Sequence, residues 1–154
     1  MRLLGMLLAA IVVAGCSATP PSTQLQVAGT TLTLQVEFWI DCMPSIPASP
    51  PSGHQWMGDM RLHPSEPSRP FPAGIRADTL TIRGPGWQAT QNLETGRDTV
   101  NPSYQDYAIV APAQLGNATC GQQPSGITAV AHVLANGSPA GSILDDDVGF
   151  MSAV

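Results

Sequence analysis

Residues 31–42 alternate without a break: Leu32, Leu34, Val36, Phe38, Ile40 and Cys42 fall on one side, and Thr31, Thr33, Gln35, Glu37, Trp39 and Asp41 on the other. Successive side chains of a strand point to opposite faces, so the pattern predicts a strand with one buried face. Cys42 shares the apolar side, which turns its thiol toward the core. Trp39 is the exception on the polar side. A large aromatic there is expected to be covered by a loop or left available for contact.

The rest of the chain reads in the same way. Residues 54–63 form a second alternating stretch with Trp56, Gly58, Met60 and Leu62 on one side, and residues 77–83 a third with Leu80 and Ile82 inward. Gly84-Pro85-Gly86 predicts a tight turn, from which residues 87–91 return. A strand is expected over 104–111. Residues 127–134 are apolar apart from Thr128 and His132, as a central strand would be. Asn136-Gly137-Ser138-Pro139 predicts a turn into one closing strand, 142–154. Segments 43–53 and 64–74 are too rich in proline for central strands and read as connections. Residues 92–105 are a polar excursion, and 115–125, holding Cys120, a loop. Seven or eight short strands with regular turns predict an all-β fold, an immunoglobulin-like antiparallel β-sandwich following a cleaved N-terminal signal helix.

Composition sharpens this picture. Fifteen prolines, fifteen glycines and 11% charged residues argue for strands and turns over long helices. The chain has a net charge of −5 and no lysine. Nucleic acid and anionic lipid headgroups are therefore poor partners, since both need basic side chains to displace counterions.

The leading residues set the expected address. Arg2 precedes about twelve apolar or small residues, too few for the roughly twenty that span a bilayer, so the layout is that of a removable export signal. Val13-Ala14-Gly15-Cys16 resembles a bacterial lipobox. That resemblance implies cleavage before Cys16, a diacylglyceryl group on its sulfur and acylation of the new amino group, and two or more chains anchor a domain stably. The expected division is a signal peptide over 1–15, a lipidated cysteine and tether over 16–30, and the sandwich over 31–154. The second half of the tether is able to pair as an edge strand. The expected location is the membrane-anchored side of the envelope, the outer membrane or periplasmic face in a Gram-negative cell and the cell surface otherwise. Its partners would be the membrane, through the acyl chains, and an envelope protein or ligand. With Cys16 lipidated, two cysteines remain, and a pair in an exported protein predicts a Cys42–Cys120 disulfide.

FWIDCMPS, a proline-rich segment, FPAGIRAD and then GPGWQ resemble a family of uncharacterised bacterial secreted proteins and lipoproteins. The matching positions are 39–44, 71–78 and Trp87, within residues 31–90. The resemblance implies a sandwich and supplies no catalytic residue.

Candidate chemistry is sparse. His54, Met57, Met60 and His63 form a thioether and imidazole set suited to Cu(I), but residues three apart on a strand face opposite ways, so a site would need a loop or further ligands. Asp145-Asp146-Asp147 lacks the spacing and fixed glycine of a calcium loop and reads as a solvated turn or a guard on a sheet edge. Asp41 beside Cys42 argues against an activated thiolate. His132 reads as a hydrogen-bonded face or core histidine, and Glu37 and Asp41, about 13 Å apart along one strand, are too distant for paired-carboxylate chemistry. No nucleophile elbow or His-Glu-x-x-His is present. The expectation is a non-catalytic interaction or structural module without a cofactor, with Trp39 and the proline loops as its contact surface. A periplasmic copper-binding protein and a hydrolase with a triad drawn from distant loops are the alternatives.

Overall fold

The alternation of residues 31–42 becomes the longest strand of the fold. The computed structural model describes residues 20–42, 55–94 and 103–153. Within them the strands are β1 Leu25–Val27, β2 Thr30–Asp41, β3 Met57–Pro64, β4 Ile75–Gly84, β5 Trp87–Asn92, β6 Gln105–Val110, β7 Thr128–Ala135, β8 Ser138–Asp145 and β9 Gly149–Ala153. One sheet has the order β1-β2-β3-β6, with β9 also against β2; the other has the order β5-β4-β7-β8. Chain neighbours β2 and β3, β4 and β5, and β7 and β8 pair antiparallel, and the chain changes sheets after β3, β5, β6 and β8. This exchange between two packed sheets is that of an immunoglobulin-like sandwich.

The core lies where the period-two pattern places it. Leu32, Val36, Phe38 and Ile40 of β2 meet Met60, Leu62, Leu80, Ile82, Ala131, Val133 and Ile143 in one fully enclosed cluster. Gly58 is required on this inner face. A Cβ there would stand 2.7 Å from both Ile109 Cγ1 and Phe38 Cε1, inside contact distance.

The second half of the expected tether pairs as an edge strand: β1 pairs with Thr30, Thr31 and Leu32, and the Leu144 amide donates to the Ser22 carbonyl at 2.8 Å. Two expectations are corrected. The turn at 136–139 is shorter: Asn136 and Gly137 take positive φ values of 51° and 81°, and Pro139 already belongs to β8, an edge strand that tolerates a missing donor. Most important, the single closing strand over 142–154 is two strands in different sheets. The second, β9, runs parallel to β2, so the sandwich is not antiparallel throughout. The cause is Asp145, whose carboxylate accepts from the Val36 amide at 2.7 Å and the Asp147 amide at 3.0 Å, ending β8 and turning the chain across. The expected signal helix lies outside the described residues. Among those residues no helix is long and apolar enough to cross a membrane.

Candidate functional site

On the outer face of the first sheet, strand register builds a row that no single segment shows. Met151 of β9 stands beside Trp39 of β2, Trp39 opposite Met57 of β3, and Met57 opposite Val110 of β6. Met57 and Met151 are nearly half exposed and Val110 is 77% exposed, while Trp39 is half-buried between its neighbours. An outward sheet face is ordinarily polar, as this one is further along at Thr33, Gln35, Arg61, His63 and Asp106. The apolar row interrupts that rule across four strands.

An open cleft of about 790 Å³ lies over the Trp39-Met57-Val110 part of the row, lined also by Trp56, Asp59 and the connection around Pro112. Trp56 is buried, its ring edge-on to Phe150 at 5.4 Å, and Phe150 stacks on Phe38 at 5.6 Å, so this wall is fixed to the core. The Trp56 Nε1–H is buried and has no hydrogen-bond partner among the described residues. At the rim, the Gln91 side-chain amide donates to the Val110 carbonyl at 3.0 Å and accepts from the Val110 amide at 2.9 Å. It occupies there the backbone positions that an added strand would need.

One rung along, Glu37 stands directly opposite Asp59. Gln35 donates to Glu37 at 2.6 Å. Burial holds the Asp59 carboxyl above its ordinary value, and nearby Asp106 pushes it further the same way. Arg61 opposes this by less than Asp106 and by more than the small push that Glu37 adds; its Nε is turned to Asp106 at 2.8 Å and its guanidinium lies 4.4 Å over the Tyr104 ring. The Asp106 hydrogen bond raises the Arg61 pKa in turn. Like charges directly opposite each other cost roughly 0.2–1 kcal/mol. Asp59→Asn should therefore stabilise the fold at pH 7 by about 0.5 kcal/mol. Because the folded-state carboxyl titrates above the unfolded one, wild type loses stability as pH rises through that interval; the gain should vanish below the ordinary carboxylate value of 3.8. Urea melts of both proteins at pH 3.5 and 7 check this, and a destabilised variant at pH 7 contradicts it.

The sequence-predicted residues fall as follows. Cys42 and Cys120 form a disulfide with Cα atoms 5.9 Å apart, tying the end of β2 to the loop after the 3-10 turn Ala113–Leu115. Trp39 sits in the apolar row. Cys16 and His54 lie outside the described residues. Met60 is enclosed in the core, whereas Met57 and His63 face outward about 20 Å apart on one strand, so these three of the copper set are not brought together. His63 is hydrogen-bonded to Thr33 at 3.1 Å and the Pro64 carbonyl at 2.9 Å. Among the described residues no three His, Cys, Asp or Glu gather to hold a metal. Asp146 and Asp147 are exposed, as a solvated turn requires, but Asp145 is buried. His132 bonds to Asp78 at 2.8 Å on the outer face of the second sheet, with Ser142 opposite it and away from the cleft. Sequence reasoning missed Val110, Met151 and the Glu37–Asp59 pairing. Period two alone would have turned Val110 outward once Tyr107 and Ile109 were taken as inward; the pairing needs the register.

No protein-family model matches the chain, and neither a curated protein nor a solved structure matches it.

Proposed function

We propose that this protein is an exported, lipid-anchored interaction module of the cell envelope, held through Cys16 and making contact through the outer face of its first sheet. The observation that carries the reading is the apolar row Met151-Trp39-Met57-Val110, with Trp39, Met57 and Val110 beneath an open cleft. Exposed apolar patches on a rigid sheet serve association better than solubility. The lipobox at residues 13–16 supports the anchor, and the Cys42–Cys120 disulfide fits an oxidising compartment. The resemblance to secreted lipoproteins points the same way.

Two measurements test it together. Intact mass of the protein from its native membrane should show acyl chains on a chain beginning at Cys16, lost in Cys16→Ser. A photo-crosslinking residue at Met57 should give discrete adducts in those membranes, while one at Gln88, exposed on β5 of the other sheet, should give none. Retention of residues 1–15, or equal adducts from both positions, overturns the reading.

A further inference from the structure

The cleft carries information about what fills it. We infer that it receives an extended peptide segment of a partner protein that carries lysine or arginine among apolar residues, an inference that rests on the contact surface proposed above.

The charge beside the cleft favours a cation. Along the outer side of β2, Glu37 lies one rung from Trp39, and Asp59 faces Glu37 from β3. Among the described residues no cationic side chain is hydrogen-bonded to Glu37 or Asp59. The nearby guanidinium of Arg61 is engaged by Asp106 and Tyr104. A cation from outside would relieve the repulsion of this carboxylate pair, whereas an anionic ligand would add to it. A second copy of the chain seated face to face would bring the same carboxylates against themselves, which a self-complementary interface does not tolerate.

The shape of the cleft and the occupied sheet edge favour an extended segment lying on the face. The three strands of the row under the cleft, at Trp39, Met57 and Val110, are about 4.8 Å apart and span roughly 10 Å, the length of about three extended residues. Trp56, more than nine-tenths buried and edge-on to Phe150, forms a rigid wall of the cleft. Gln91 holds the Val110 backbone at the β6 edge, so the segment lies across the sheet face and does not join the sheet as a further strand. Apolar side chains then cover Trp39, Met57 and Val110 while a basic one reaches the carboxylates.

The test uses the full chain in zwitterionic nanodiscs and three blocked hexapeptides, alternating Lys-Leu, Glu-Leu and Lys-Ser, titrated by calorimetry and tryptophan fluorescence. The Lys-Leu peptide should bind at least tenfold more tightly than the other two, with a fluorescence change lost in Trp39→Phe. Glu37→Gln with Asp59→Asn should weaken it at least tenfold, while Asp146→Asn with Asp147→Asn, the same change of charge elsewhere, should leave it within twofold. Equal weakening by both pairs means diffuse attraction to an acidic protein and overturns the inference, as do absent binding and equal affinity for Glu-Leu. Met57 crosslinks alongside any of these failures would retain the contact surface and remove only the basic segment as its occupant.

Discussion

Replacing Cys42 and Cys120 together with serine should lower the stability of the domain by about 4 kcal/mol, the largest single loss expected here outside the hydrophobic core. The two cysteines are 78 residues apart in sequence. Closing so long a loop removes about 15 cal/mol/K from the unfolded chain in the chain-entropy account, close to 4.5 kcal/mol at 25 °C. For a domain of this size that corresponds to a fall in melting temperature on the order of 15 °C. The same bond fixes the end of β2 to the loop after the 3-10 turn, and β2 carries Trp39 to the cleft. Crosslinking from Met57 should therefore decline in the serine variant even below its melting point. Thermal melts of wild type with and without reductant, beside the double variant, check the stability; a loss under about 1 kcal/mol would mean that the loop is held without the bridge or that the reduced unfolded state keeps structure.

Much of the sandwich was legible because period two acts locally. In β2 each inward and outward residue is set by its immediate neighbours, and the enclosed Leu32, Val36, Phe38 and Ile40 follow from the pattern alone. Residues 127–134 were readable as a central strand for the same reason, since β7 lies between β4 and β8 and is covered on both edges. The disulfide followed from counting cysteines. What was not legible depended on pairing between distant segments. The apolar row joins residues 39, 57, 110 and 151, and the opposed carboxylates join 37 and 59; neither register is encoded by the periodicity of one strand. Trp39 could be singled out as an anomaly on a polar face, whereas Met57 and Met151 lay in segments where methionine fits core and surface equally. The closing segment was misread because Asp145 was grouped with its two acidic neighbours. Three consecutive aspartates suggest a solvated turn. Only the position of Val36 shows that the first of them is drawn inside.

That inward aspartate yields the second large effect. β1 covers the edge of β2 as far as Leu32, and β9 takes over at Glu37; between them the Val36 amide is satisfied by Asp145, which is only 8% exposed. Asp145→Ala should cost about 3 kcal/mol, since it removes two hydrogen bonds and strands an amide inside the fold. Asp145→Asn should recover only part of this, because its amide oxygen can accept from Val36 or from Asp147 but its NH₂ cannot accept from the other. The pH dependence has a definite sign. Burial holds the Asp145 carboxyl above its ordinary value of 3.8, overcoming the two amide donors and adding to the repulsion from Asp147 and Asp146. The folded state thus keeps its proton to higher pH than the unfolded chain, so the contribution of Asp145 is full below the ordinary value and diminishes as pH rises through the folded one. The cost of the alanine variant should accordingly be larger at pH 3.5 than at pH 7 in chemical denaturation. A cost that grows with pH would show that the amide donors outweigh burial, making this carboxylate a depressed one.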